Sequence, residues 1–234
     1  MKIKQHVSII IPAWNEEMYI AETLKAVYKS ADEESKDYSC ELIVVDDGST
    51  DETYSRAVPW ADLIVRHPYR CGKGAAMNTG RIASRGSVLV FLDADLGATA
   101  NQFHNLIAPI RAKQADMVIA RLPAAKKRGG LGFVRMLAKH GVYRLSGFEA
   151  TAPLSGQRAI QREVMERIGR VSGGFGVEVG LTIDAVKLGY KVQELMIPFA
   201  HRETGRDMQG WLHRGKQLCA VGETLWRRWT EPIC

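Results

Sequence analysis

Short apolar runs, each ending on a proline or a charged residue, recur through the first half of the chain and constrain its fold more than any other feature. They are Val7-Ser8-Ile9-Ile10-Ile11-Pro12, Glu41-Leu42-Ile43-Val44-Val45-Asp46, Leu63-Ile64-Val65-Arg66 and Val88-Leu89-Val90-Phe91-Leu92-Asp93. Half-solvated strands alternate apolar and polar residues. These runs are almost wholly apolar and rich in β-branched residues, as strands covered on both faces must be. Segments with helical spacing separate them: Ile20, Leu24 and Val27, then Gly72-Lys73-Gly74 opening a helix through Met77, then Leu106, Ile107 and Ile110. Met117-Val118-Ile119-Ala120 adds a further strand. The alternation predicts an α/β fold, a mostly parallel sheet flanked by helices. A chain of 234 residues can close it as a single domain, 1–234.

The net charge of +6 comes from 32 basic and 26 acidic residues. Such an excess suits phosphate-bearing ligands or an anionic surface. No nucleic-acid partner is expected, because the only dense basic run, Lys126-Lys127-Arg128, is too short and belongs to no recognisable module. Cys40, Cys71, Cys219 and Cys234 are far apart and form no CxxC pair, so reduced thiols in a cytoplasmic compartment are expected. The N-terminus shows no signal-peptide core, and no stretch of about 18 apolar residues could span a bilayer. A soluble protein, or one peripheral at the inner face of the membrane, is the expectation.

After Ala120 the character changes. Arg121 to Gly132 mixes proline, basic residues and glycine and predicts a loop, followed by a helix from Phe133 to about Leu145. A turn over Thr151-Ala152-Pro153-Leu154-Ser155-Gly156 leads to a helix rich in Arg and Glu. Gly173-Gly174-Phe175-Gly176 opens a helix over Val177 to Leu188, and Val192 to Phe199 predicts a strand ending at His201. In the last segment His213, Arg214 and Lys216 could meet an anion. Trp211, Leu212, Leu218, Leu225, Trp226 and Trp229 make a helix that either docks on the core or lies on an anionic membrane.

In open α/β sheets ligands bind beyond the carboxyl ends of the strands. Three predicted strands end in candidate groups: Pro12-Ala13-Trp14-Asn15-Glu16-Glu17, Asp46-Asp47-Gly48-Ser49 and Asp93-Ala94-Asp95. Any one of these acids alone could be a helix cap or a turn residue. Together at successive strand ends they mark a site. A sugar pyrophosphate carries concentrated negative charge, and carboxylates two residues apart can share one side of a strand and hold the hard Mg²⁺ or Mn²⁺ that offsets it.

VSIIIPAWNEE, ELIVVDDGSTDET, CGKGAAMNTG and VLVFLDADL, in that order over about residues 7–96, resemble the GT-A-fold glycosyltransferases of the family 2 kind. The resemblance implies a nucleotide-sugar half over about 1–100 and an acceptor half over about 101–234, ending in a C-terminal helical and loop region. It implies that Pro12, Ala13, Glu17 and Asp46 or Asp47 hold the nucleobase and ribose, and that Lys73 reaches a donor phosphate or supports the base-binding loop. Asp95 would be the catalytic metal ligand, with Asp93 nearer the ribose or sugar. In the second half Pro153-Leu154-Ser155-Gly156-Gln157-Arg158-Ala159, Gly174-Phe175-Gly176-Val177-Glu178 and Ala200-His201-Arg202-Glu203 are similar in order to glucosyl-3-phosphoglycerate synthases. By that likeness Leu154, Ser155, Gly156, Glu178 and Arg206 face the acceptor, Glu178 is a catalytic candidate, and His201 completes a metal site with Asp95.

The implied activity is transfer of a hexose from a UDP- or GDP-sugar, UDP-glucose type first, to a phosphorylated small molecule or a lipid phosphate. A homodimer and peripheral membrane contact through the C-terminal segment stay open as partners. Inverting members often place an acidic base where this chain has Leu154-Ser155-Gly156-Gln157, which leaves a retaining front-face mechanism as a live alternative. From other classes, a binding protein without turnover and a nucleotidyltransferase are the rivals. The latter would carry a glycine-rich basic loop where Pro12-Ala13-Trp14-Asn15 stands, and Gly72-Lys73-Gly74 is not a Walker A loop.

Overall fold

The computed structural model describes residues 5–33, 38–123, 132–169, 176–200 and 208–231. The expected strands form. β1 (Gln5–Ala13), β2 (Tyr38–Asp46), β3 (Leu63–Arg66), β4 (Val88–Phe91) and β5 (Met117–Arg121) are followed by β6 (Arg158–Gln161) and β7 (Val192–Met196). They make a seven-stranded sheet in the order β3-β2-β1-β4-β6-β5-β7. The first half is the parallel α/β layer that the apolar runs predict, with Ile9, Ile10, Ile43, Val44, Leu89 and Val90 buried. The exception is β3, which is the edge strand of the sheet and is not covered on both faces, Leu63 being exposed.

The helices are α1 (Ile20–Glu33), α2 (Thr53–Ala57), α3 (Lys73–Ala83), α4 (His104–Arg111), α5 (Gly132–Ser146), α6 (Arg162–Ile168), α7 (Val177–Lys187) and α8 (Met208–Thr230). Two predicted elements change. The strand over Val192 to Phe199 stops at Met196, and β6 occupies the start of what reads as turn and helix.

β6 matters most for the site, because it runs antiparallel to both β4 and β5. Its N-terminal end therefore meets the carboxyl ends of those strands. With Phe91 opposite Arg158, the same register places Asp93 beside Gly156, and Ala120 N donates to Gln157 O at 2.9 Å. One antiparallel strand thus delivers the 153–157 loop to the end of the sheet where the acids lie.

α7 is buried along its length from Val177 to Ala185, so it carries polar groups into the interior. Asp184 is fully buried and accepts both Nε and Nη2 of Arg228 on α8, the latter at 2.6 Å. Burial pushes the Asp184 carboxyl up from its ordinary range, and the Arg228 pair works against that shift. Around this pair Val221, Leu218 and Leu225 of α8 pack with Val134, Ala138, Val142 and Val179. A Cβ on Gly176 would lie 2.0 Å from Thr224 Oγ1 and 2.7 Å from the Ala220 carbonyl, so close approach requires glycine there. α8 is thus docked on the core through one face. Among the described residues no helix is long and apolar enough to cross a membrane. Cys40, Cys71 and Cys219 are free thiols.

Candidate active site

Three loops at the carboxyl ends of β1, β2 and β3 are tied into one surface. Asn15, in the left-handed region at φ 54°, receives the Thr50 N–H on its Oδ1 at 2.9 Å, and its own N–H donates to Ser49 Oγ at 3.0 Å. Glu17 Oε2 accepts the Glu52 N–H at 3.0 Å, ahead of α2. Asp51 accepts the Thr53 N–H and hydroxyl. Burial opposes its ionisation, but these hydrogen bonds outweigh it and hold the carboxyl below its ordinary range.

Asp46 is fully buried, accepts Ser49 N at 2.9 Å, and pairs with Arg66 Nε at 3.0 Å. Asp47 is more fully engaged. Its Oδ1 accepts Cys71 N and meets His67 Nδ1, both at 2.8 Å, and its Oδ2 accepts Gly72 N at 2.8 Å. Those N–H groups lie at the start of α3, where a carboxylate also complements the helix dipole.

Gly48 closes the arrangement: at φ 72° a Cβ would meet the Tyr69 carbonyl carbon at 2.6 Å. Arg70 stacks over the Trp14 ring at 3.4 Å. An open cleft of about 440 Å³, lined by Gly48, Ser49, Thr50, Arg66, His67 and Pro68, runs along this surface. Its volume falls in the range of small-ligand pockets.

The second centre lies at the end of β4. The strand stops at Phe91, so Asp93 and Asp95 sit in the turn beyond it, part-exposed on either side of buried Ala94. Thr23 of α1 pins this turn: its hydroxyl donates to Ala94 O at 2.8 Å and accepts Gly97 N at 2.9 Å. Thr99 Oγ1 donates to Leu96 O at 2.7 Å and accepts Ala200 N at 3.0 Å. The chain after β7 is therefore held beside the Asp95 turn as far as residue 200. His201 and Arg206, expected in the metal and acceptor sites, lie outside the described residues, as do the loop residues 124–131, Gly173-Gly174-Phe175, and the side chains of Trp211, Leu212, His213, Arg214 and Lys216.

Lys73 joins the two halves. Its Nζ donates to Asp93 Oδ1 at 2.7 Å and lies 2.8 Å from Glu178 Oε1 in the first turn of α7. Burial alone would lower the ammonium, but Asp93 and then Glu178 outweigh it and hold Lys73 above its ordinary range. Gln157 Nε2 donates to Asp93 Oδ2 at 2.5 Å. Below them Arg158, fully buried, donates to Ser155 O and Glu178 O and ties the 153–157 loop to α7. Burial pulls the Arg158 guanidinium down, while Glu178, Asp93 and Glu194 act the other way.

Gly156 is packed onto this cluster. A Cβ there would lie 2.6 Å from Lys73 Nζ and 2.8 Å from either Asp93 oxygen. Gly156→Ala is expected to push the ion pair apart, lower turnover about 10-fold or more, as misplacement of a positioned group does, and lower the melting temperature by a few degrees, since overpacking costs about 1–3 kcal/mol. Steady-state kinetics beside thermal denaturation checks this.

Of the expected residues, Lys73, Asp93, Gly156 and Glu178 come together in one cluster, with Ser155 adjoining through Gln157. Pro12, Ala13, Glu17, Asp46 and Asp47 lie on the other surface. Sequence reasoning missed the parts of Gln157, Arg158, His67 and Thr23. Only Gln157 and Arg158 carried any signal, as polar residues inside a motif. A metal fits the Asp95 turn in kind, since carboxylate oxygen is what Mg²⁺ and Mn²⁺ prefer. Both Asp93 oxygens are already taken by Lys73 and Gln157. Among the described residues one other group, Asp47, His67 and Cys71, brings its ligand atoms within 4.8 Å of one another.

The seven-stranded sheet order β3-β2-β1-β4-β6-β5-β7 is that of a GT-A-type fold, the fold of the solved structures this chain superimposes on. The family model described as Glycosyl transferase family 2 matches residues 8–171, and the chain belongs to that family. A glucosyl-3-phosphoglycerate synthase of Mycobacterium tuberculosis is 29% identical over 204 residues, covering 78% of this chain and 61% of the relative. A dolichyl-phosphate beta-glucosyltransferase of Trichomonas vaginalis is 27% identical over 209 residues, covering 82% and 65%. The chain thus spans somewhat under two thirds of each of these two relatives. A solved structure of the M. tuberculosis synthase with phosphoglyceric acid superimposes with a TM-score of 0.77 at 30% identity, covering 97% of this chain and 81% of that one. Another, with Mn²⁺, uridine-diphosphate-glucose and phosphoglyceric acid, gives 0.74 at 29% identity, covering 95% and 80%.

Proposed function

We propose that this chain is a metal-dependent hexosyltransferase that moves glucose from UDP-glucose to an acceptor bearing a phosphate. The observation that carries the reading is the Lys73–Asp93–Glu178 cluster, which places one cation and two carboxylates between the base-side surface and the 153–157 loop. In this reading the nucleobase and ribose lie along Pro12, Ala13 and the Gly48–Thr50 cleft. Asp46, Asp47 and Glu17 serve by fixing that surface, since their oxygens already hold backbone N–H groups and Arg66.

A divalent ion on Asp95 and His201 would offset the pyrophosphate charge when bound. Lys73 would turn part of its charge toward the departing phosphate, at the N-terminus of α3, where the helix dipole also favours an anion. Asp93, steadied by Gln157, would orient the ribose or sugar. Leu154, Ser155, Gly156 and Arg206 would face the acceptor, with Glu178 binding hydroxyls. The two halves, about 1–100 and 101–234, work as one domain. Peripheral membrane contact and a homodimer belong to the same reading as further partners.

Residues 154–157 offer no carboxylate, and Glu178 is engaged by Lys73. Neither is placed as a free base, which favours retention, with the leaving phosphate taking the acceptor proton. The test is transfer from UDP-glucose to 3-phosphoglycerate and to a polyprenyl phosphate, with the anomeric configuration of the product read by NMR. The α-glucoside is expected. A β-glucoside overturns retention, and absence of transfer to any phosphorylated acceptor overturns the function.

A further inference from the structure

Residues 117–148 hold seven of the chain's 32 Lys and Arg residues and no Asp or Glu. The other 25 basic residues face 26 acidic ones, so the positive balance of the protein is concentrated in this one stretch. It contains α5, whose buried stripe, Val134, Ala138 and Val142, packs toward α7 and α8. The opposite face is exposed and apolar: Phe133 is 62%, Met136 51% and Tyr143 54% accessible.

At about 100° per residue, Phe133, Met136, His140 and Tyr143 fall on one arc. Arg135 and Lys139 lie along one edge of it and Arg144 along the other, all exposed. α8 lies against α5 where Leu225 seats on Gly141. It adds Trp226 and Trp229, 69% and 62% accessible, on the part of its surface that the core leaves uncovered.

We propose that α5, together with the Trp226–Trp229 end of α8, is a docking face for an anionic lipid bilayer. An exposed aromatic arc bordered by Lys and Arg matches a helix lying in the interfacial plane, with the rings at headgroup depth and the cations on anionic headgroups. Pairing with a second copy through this face would bring Arg135, Lys139 and Arg144 of both copies, all of one sign, into one interface. The charge therefore favours an anionic surface over self-association. This reassigns the membrane contact expected of the C-terminal helix: α8 is held by the core, and the basic partner beside it carries the attraction. The inference is independent of the transfer reaction, because none of these residues belongs to the donor or acceptor site.

The experiment is co-sedimentation of the full chain with vesicles of phosphatidylcholine alone or of phosphatidylcholine mixed with phosphatidylglycerol. Binding is expected to the mixed vesicles only and should fall as salt rises. Each surface cation contributes about fivefold in affinity, so Lys139→Gln with Arg144→Gln should weaken binding about 25-fold. Phe133→Ser with Trp226→Ser should remove it. Both variants should keep the wild-type rate on a soluble phosphorylated acceptor, which separates this result from failure of the catalytic reading. The proposal is overturned by no binding to mixed vesicles, by equal binding to phosphatidylcholine, or by unchanged binding of Lys139→Gln with Arg144→Gln. It is also overturned if wild type forms a dimer that Phe133→Ser with Trp226→Ser dissolves, which would give the face to a second copy.

Discussion

Lys73→Met is expected to reduce glucosyl transfer about 10²–10³-fold, the loss typical of removing one preorganised charge-stabilising donor, and to destabilise the protein as well. The stability part follows from what Lys73 holds apart. Asp93 and Glu178 both converge on its Nζ, and Glu178 is only 6% accessible. Without the ammonium these carboxylates face each other, one of them nearly cut off from water. Breaking a fully buried pair costs about 3–5 kcal/mol, but Lys73 and Asp93 are both about a quarter exposed. About 2 kcal/mol is the expected loss after that screening, which for a chain of this size lowers the melting temperature by roughly 4–8 °C.

The shift at Lys73 is upward, so its contribution to stability is complete at neutral pH. It is lost only as pH rises past the ordinary lysine range toward the higher value of the folded state. Adding Glu178→Gln to Lys73→Met should recover most of the stability and none of the activity. Thermal denaturation and initial rates on the two variants separate the structural share of Lys73 from its catalytic share.

Asp95→Ala is expected to lower transfer by about 10³-fold or more, while the melting temperature falls by no more than roughly 2–4 °C, the effect of about 1 kcal/mol in a chain of this size. The Asp95 turn is shaped by other groups: Thr23 holds Ala94 O and Gly97 N, and Thr99 holds Leu96 O. Those backbone bonds do not involve the Asp95 carboxylate and remain in the variant. The melting-temperature rise produced by UDP-glucose with Mn²⁺ should disappear in this variant. Comparison of ligand-induced shifts in wild type and Asp95→Ala, with and without chelator, measures this directly.

Much of the parallel layer can be read from residues alone because strands buried on both faces leave a local signature. β1, β2, β4 and β5 are runs that no half-exposed strand would use. β6 left no such signature. It has four residues, begins on Arg158, and reads as polar because it buries a charge, whose two Nη groups donate to the carbonyls of Glu178 and Ser155. Its antiparallel direction, which brings Gly156 onto Asp93, is a property of long-range pairing that a local pattern does not carry.

The site shows the same division. Asp46, Asp47, Lys73, Asp93 and Glu178 stand out in sequence by type and by position at element ends. Their partners do not, since Lys73 and Glu178 meet only when α3 and α7 pack around the sheet. Asp47 also shows that an acid at a strand end can be wholly engaged by backbone N–H groups and a histidine, here Cys71, Gly72 and His67, and so act by shaping a loop.

The proposed function makes the Asp93–Asp95 turn and Lys73 the donor site of a metal-dependent glucosyl transfer. Its most direct test is the release of UDP from UDP-glucose by the purified chain in the presence of Mn²⁺ and a panel of phosphorylated acceptors, repeated after complete chelation. Acceptor-dependent UDP release is expected, abolished by chelation and restored by added Mn²⁺. Undiminished release in chelator, or none with any phosphorylated acceptor while UDP-glucose still raises the melting temperature, would contradict it.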